Sequence, residues 1–542
     1  MTLRGNFDNS LKLTRFMLKR EMTISAIWIV VIVLFSAGLA PGMAGMFDSD
    51  GRQQFVSTFS NPAMIAMMGP VYGADNYTAG AMYTGMMLLW ILIAVAVMNI
   101  FLVSRHTRAD EEKGRIEVIR SLPVGRLSVL NATMLTAVAV NIALGLLMGL
   151  SIAATGVESM GFAGSMLYGA VTCATGLVFA AITALFCQLS SNKSGATGYS
   201  FMLLGLFYML RAVGDMRESE ILSCISPLGL AQRSQPYIEN NLWPVPLLLL
   251  ICVLVFAGTY KLNAIRDLGQ GFIHARPGRK EASVLLRNNF GLSFRLMRTS
   301  LIVWLIVMLL LGASYGSIIG EIDQFISGSP QYLGILGLDP SVAAATKDNI
   351  QKHFLTFITT MMTLICIIPL LIIAMKPRSE EKEHRAEHVL TRCVPRFRHI
   401  ASYSVLAYAA SVIFPCATAI GIYLSATTLS DNPFTLGVLM EANLAFIPAL
   451  WVMIGAAVLL VGLLPGASGA IWGYFGFVFI ITFMGELLGL PVWLRGLSPT
   501  YHISDVILGD AVNFTPPVIL TAIAAILTAA GFMFYQKRDV KQ

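Results

Sequence analysis

A chain of 542 residues has the length of two or three soluble domains, yet its composition excludes them. Hydrophobic residues make up 56% and charged residues only 12%, about half the ~25% share of a globular protein, and the mean hydropathy is +0.72. The net charge of +7 does not signal a nucleic-acid binder, because the cations lie in short stretches between apolar runs rather than in a basic patch with aromatics. These features predict an all-α polytopic membrane protein.

Taken in chain order, twelve stretches meet the need of about twenty apolar residues for a ~30 Å hydrocarbon core. They are 22–42, 82–104, 129–154, 162–188, 196–213, 243–262, 300–320, 353–375, 400–425, 441–464, 468–490 and 515–535. Pro369, Pro415 and Pro448 interrupt spans without ending them, as membrane helices tolerate. The first span follows about twenty mixed polar residues, too long a lead for a cleaved signal, so it is expected to stay. With the N-terminus inside, 30 of the 37 lysines and arginines fall on the inner side. The positive-inside rule then places both termini in the cytoplasm. The seven cysteines are irregularly spaced and mostly within apolar runs, which argues against a disulfide framework or a zinc site.

The second half repeats the first. RADEEKGRIEVIRSLPVGR at 108–126 is answered by RSEEKEHRAEHVLTRCVPR at 378–396, with Arg108, Glu111, Arg115, Glu117, Val124 and Arg126 each matched 270 positions later. SGA at 194–196 answers SGA at 468–470, and IRDL at 265–268 answers KRDV at 537–540. The predicted halves, 1–270 and 271–542, hold six spans each. An even number gives parallel repeats about a pseudo-twofold axis along the membrane normal, the natural course of a transport path.

The repeated loop carries the functional signal. Thr107-x-x-Asp110 fits a capping box, Ile116, Ile119 and Leu122 recur on one face, and Pro123 stops the helix. This predicts one short amphipathic helix below the membrane, its apolar stripe docking into a partner. E-E-x-G-R-x-E (Glu111, Glu112, Gly114, Arg115, Glu117) followed by L-x-x-P-V-x-R (Leu122, Pro123, Arg126), between the second and third spans of six, resembles the coupling loop of type-2 ATP-binding-cassette (ABC) export permeases. The doubled form, with RDLG at 266–269 closing its first half, looks like the subgroup of polyketide-antibiotic exporters. The second loop, 378–398, keeps Glu381, Arg385, Glu387 and Arg396 but carries His384 for the glycine and Cys393 for the proline.

The resemblance implies a membrane permease of the bacterial cell membrane that exports hydrophobic or amphipathic, antibiotic-like compounds. A separate cytosolic ABC ATPase dimer, binding ATP and Mg, would power it, so the chain would be no enzyme and carry no cofactor, metal or catalytic residue. No Gly-Lys dipeptide occurs, so the chain has no phosphate loop of that type. The family also implies an interfacial elbow helix before each half, matched by residues 9–20 and 288–298. It places the second and fifth spans of each half along the path: Met86, Trp90, Tyr199, Met202 and Phe207, then Phe357, Met361, Tyr474, Phe479 and Phe483. Thioethers and aromatic faces suit a loosely specific pocket. Arg211 and Glu486, at matching depths in the two halves, are expected to face each other as a gate. The alternative is a twelve-span proton-coupled multidrug transporter, but the loop after span two lacks the G-x-x-x-D-R-x-G-R-[RK] signature of that plan.

Overall fold

The computed structural model describes residues 3–46, 62–273, 288–316, 347–392, 394–429, 434–484, 491–503 and 514–538, with isolated positions between them. Among these residues the chain is helical, and an isolated bridge between Ser190 and Ile273 stands in for sheet. Two compact units divide it, 1–277 and 278–542. Eleven of the described helices are long and apolar enough to cross a membrane. The stretch expected at 468–490 gives a shorter helix, Ala470–Met484, of 15 residues, and positions 485–490 lie outside the described residues.

In the first unit the long helices are α1 (Ser10–Met46), α2 (Ala79–His106), α5 (Ser128–Ala153), α6 (Phe162–Leu189), α7 (Lys193–Met216) and α8 (Pro244–Ile265); two short ones, α3 (Arg108–Glu112) and α4 (Arg115–Arg120), lie between α2 and α5. The expected elbow at 9–20 is not a separate helix. It forms the first turns of α1, because Lys19-Arg20-Glu21-Met22 contains no glycine or proline to break the run. The 288–298 segment likewise runs straight into α9 (Asn289–Gly316). At 1.5 Å per residue the 37 residues of α1 extend about 55 Å, well beyond the bilayer core.

Small residues let the helices of the first unit approach closely. A Cβ placed on Gly169 of α6 would stand 2.1 Å from the Gly145 carbonyl oxygen of α5, so the two backbones touch there. Two turns further, Gly176 makes room for a pair of buried amides. Asn99 Nδ2 donates to Asn141 Oδ1 at 3.0 Å, and Asn141 Nδ2 donates to Asn99 Oδ1 at 2.7 Å. Each amide also donates to the carbonyl four residues back, so neither is left wanting in an apolar setting.

The second unit continues with α10 (Lys347–Ala374), α11 (Lys376–Lys382), α12 (Arg385–Leu390), α13 (Arg396–Leu429), α14 (Leu436–Ala445), α15 (Ile447–Leu463), α16 (Ala470–Met484) and α17 (Thr515–Lys537). Pro369 and Pro415 lie inside α10 and α13, whereas Pro448 follows a one-residue break between α14 and α15. Its core is built from Leu364, Ile367, Leu371, Phe414, Leu450 and Val458. Glycines again set the close contacts, Gly312 against Thr418 and Gly462 against Gly531.

Candidate functional site

The loop between α2 and α5 is two short helices rather than one. Thr107, with φ −111° and ψ −92°, turns the chain out of α2, and its hydroxyl donates to Val103 O at 2.7 Å. That hydroxyl therefore makes no cap for α3, and the expected capping box does not form. After α3 the chain reverses through Gly114, at φ +69° with open space around its α-carbon, and α4 begins. Glycine suits this left-handed position, where a side chain costs about 1–2 kcal/mol.

The turn at Gly114 redirects the apolar stripe. Ile116 is buried against Leu13, Met17, Val129 and Ala132, with Ile119 and Val124 at the edge, so this face packs on α1 and α5 of its own unit. The outward side carries Val118, 69% exposed, and Leu122, 58% exposed, with Glu117 and Arg115 beside them. Pro123 and Arg126 are also exposed. The N-terminus straps the loop in place: Asn9 Nδ2 donates to Pro123 O, and Ser128 Oγ and the Gly125 N–H both donate to Asp8 O.

The acidic run is mostly a structural hub. Asp110 accepts both terminal nitrogens of Arg20 at 2.7 and 2.8 Å, and Arg115 Nη1 at 3.0 Å. Glu111, its side chain 8% exposed, accepts from Arg266 at 3.0 and 3.1 Å, from Arg108 at 3.0 Å and from the Gly269 N–H at 2.7 Å. Arg108 is 1% exposed and also donates to the carbonyls of Cys187 and Gln270. Glu112 accepts the Lys193 N–H, an otherwise unsatisfied donor at the start of α7. One loop is thus tied to α1, α6, α7 and the end of α8.

The same lattice recurs in the second unit. Glu380, in the place of Asp110, accepts from Arg385 at 2.8 and 3.0 Å and from Lys376 at 3.0 Å. Glu381, in the place of Glu111, accepts Arg538 at 2.6 Å and lies 3.7 Å from Arg378. Arg126 donates to Arg266 O in the first unit, and Arg396 to Arg538 O in the second. His384 takes the left-handed turn at φ +57°, and its Nδ1 lies 2.9 Å from Glu387 Oε1. Bonds to Glu380 and Glu383 hold the Arg385 pKa above that of a free arginine. On the outward side the second loop differs: His388 and Arg392 occupy the positions of Val118 and Leu122.

Sequence reasoning singled out Glu111 and Glu381 as surface contacts, and the structure buries both. The structure adds Asp110, Glu380 and Arg20 to the ion pairs and Val118 to the outward side. The repeat could have found the buried hub, since Arg108/Arg378, Glu111/Glu381 and Arg266/Arg538 recur at offsets of 270, 270 and 272. Among the residues expected along a path, Trp90, Met202 and Phe479 are exposed, while Met86, Tyr199, Phe207, Phe357, Met361, Tyr474 and Phe483 are half-buried. Several pack edge to face, Phe207 on Phe179 and Phe357 on Phe483.

Arg211 is fully buried and finds its partners nearby. It donates to Ala66 O at 2.6 Å and to Asp215 at 3.3 Å, and lies 4.8 Å above the Tyr208 ring. Tyr208 and Gln232 donate to the carbonyls of Met67 and Met68, so the three side chains together cap the C-terminus of the short helix Pro62–Met68. Glu486, its expected counterpart, lies outside the described residues. No cluster of His, Cys, Asp and Glu suited to a metal is found among the described residues.

Comparison with known proteins gives this site its context. A family model described as the C-terminal domain of the multidrug efflux system permease Rv1217c matches residues 16–262 and 286–536. The multidrug efflux system permease protein Rv1217c of Mycobacterium tuberculosis is 32% identical over 543 aligned positions, which cover 99% of this chain and 96% of the relative. The chain therefore belongs to the Rv1217c family of multidrug efflux permeases.

Proposed function

We propose that this chain is the membrane subunit of an ATP-driven multidrug exporter, with twelve spans in two parallel six-span repeats and both termini in the cytoplasm. A separate cytosolic ATPase dimer, binding ATP and Mg, docks on the loops at 108–126 and 378–396. The observation that carries this reading is the doubled ion-pair lattice. In each unit the short helix is pinned through a glutamate to the arginine at the end of the last long helix, Glu111 to Arg266 and Glu381 to Arg538, and the loop leaves one side outward for a partner. Such a loop passes a push on α4 to α1, α6, α7 and α8 without needing a flexible joint. The family name and the Met- and aromatic-rich spans support hydrophobic or amphipathic cargo.

The two docking faces are not alike. The first presents Val118 and Leu122, and burying such a pair in a groove contributes about 1.5–3 kcal/mol per side chain. The second presents His388 and Arg392, which need an acidic contact. A pair of non-identical ATPase subunits, or one subunit type read unequally, follows from this difference.

The test is co-purification of the tagged chain from its host in mild detergent, with Val118→Asp/Leu122→Asp as the variant. A cytosolic ATPase that accompanies the wild type and is lost from the variant supports the reading. If no ATPase accompanies either form, the assignment fails and proton-coupled transport becomes the hypothesis to test.

A further inference from the structure

Three arginines of the first unit gather at one point, and the ion-pair lattice gives a partner to Arg266 but, among the described residues, none to the Arg120 side chain. Arg120, Arg126 and Arg266 line a cavity of about 20 Å³ whose remaining wall includes Glu111, Leu130 and Asn263. Three cations share a single carboxylate there. Glu111 is itself occupied by Arg266, Arg108 and a backbone amide. The Nε–H groups of Arg120 and Arg266 are buried, with no acceptor among the described residues. The nearest acceptor of Arg120 Nη2 is Arg126 O at 3.5 Å, a marginal bond. Burial, and then the neighbouring charge of Arg126, push the Arg120 pKa below the usual arginine value.

Like charges gathered around unfilled donors call for an anion. Planar guanidinium forks match the geometry of phosphate oxygens in particular. The position agrees. Leu130 is in the first turn of α5, and Asn263 in the last turn of α8, so the cavity sits where two membrane-crossing helices meet the cytoplasm. Basic pockets between helices at that level receive lipid headgroups. The volume suits one oxygen of such a group, with the remainder outside near the exposed Arg126.

We propose that Arg120, Arg126 and Arg266 form a phosphate site in the first unit, filled by the headgroup of an anionic phospholipid or by a soluble phosphate. The second unit retains Arg396 and Arg538 at the matching places but has Leu390 where the first has Arg120. The site therefore belongs to one half.

Arg120→Leu copies the residue of the second half and serves as the variant, with Arg120→Lys keeping the charge without the fork. Binding to the purified full-length chain is measured by native mass spectrometry with phosphatidylglycerol and by thermal shift with inorganic phosphate. The site predicts an affinity about tenfold or more weaker in Arg120→Leu, with Arg120→Lys between the two. Loss confined to phosphatidylglycerol identifies a lipid site, and loss confined to inorganic phosphate a soluble one. Equal binding by wild type and Arg120→Leu for both probes overturns the proposal. Unliganded melting of each variant within a few degrees of wild type shows that the fold is retained. If Arg120→Leu does not fold, Arg120→Lys alone decides, and wild-type affinity for both probes overturns the site.

Discussion

Glu111→Gln separates a structural carboxylate from a docking one. The substitution keeps shape and one acceptor oxygen but removes the charge that faces Arg108 and Arg266, both nearly excluded from solvent. Leaving buried cations without their counter-ion costs about 3–5 kcal/mol. The acceptor retained by Gln, together with the carbonyls that also bind Arg108, puts the expected loss near 3 kcal/mol. Reversible denaturation of the purified chain in detergent micelles measures it, with Glu117→Gln as the exposed control, expected within about 0.5 kcal/mol of wild type. Removing Arg266 as well, in Glu111→Gln/Arg266→Gln, should leave a coupling of at least about 1 kcal/mol between the two sites. A Glu111→Gln protein as stable as the control, or two strictly additive losses, would refute the buried-hub reasoning.

The turn between the paired loop helices gives a prediction of opposite signs: Gly114→Ala should destabilise its loop by about 1 kcal/mol, whereas His384→Gly should stabilise its own, since the Glu387 contact it removes is solvent-exposed. Hydrogen exchange of the two loops reads both, and unchanged protection in Gly114→Ala would contradict the left-handed geometry. Asn99→Leu and Asn141→Leu each remove one partner of a buried amide pair, so each should cost about 0.6–1.7 kcal/mol, and the double variant less than the sum. Strict additivity would count against the pair. Burial raises the Cys224 pKa, with Arg233 opposing it, so the thiolate form is scarce at neutral pH. Labelling by an impermeant maleimide added outside cells should therefore keep accelerating above about pH 8.5, where an ordinary thiol is half ionised. A plateau below that pH would refute the shift, and labelling only after the cells are opened would refute the proposed orientation.

Much of the helical plan was legible because length and hydropathy decide whether a segment can cross a bilayer. Apolar runs mark the crossings without showing where a helix begins. Periodicity could not show that residues 9–20 and α1 are one helix, since a charged overhang and an interfacial elbow carry the same amphipathic pattern. At the loop 107–126 the repeat and the apolar stripe point Ile116 toward a partner, whereas the structure packs Ile116 on α1 and α5 and pairs Glu111 with Arg108 and Arg266. The reason is physical: Gly114 breaks the helical register, so a face drawn through 107–122 as one helix mixes inward and outward residues. Arg211 shows the same limit. Its depth marked it as a residue needing partners, but only the fold reveals Ala66 O and Asp215 as those partners.

The unbroken course of α1 has a mechanical consequence. Pro41, its interior proline, lies near the C-terminal end, and the N-terminal turns that carry Leu13, Met17 and Arg20 continue without a joint into the apolar length of the helix. Such a rod pivots rather than bends. A tilt of about 5° about its middle carries the two ends of a ~55 Å helix by about 2 Å in opposite senses. A displacement imposed on the loop packed at the N-terminal end of α1 therefore emerges at the opposite end reversed in direction, so closure at one end of the helix becomes parting at the other.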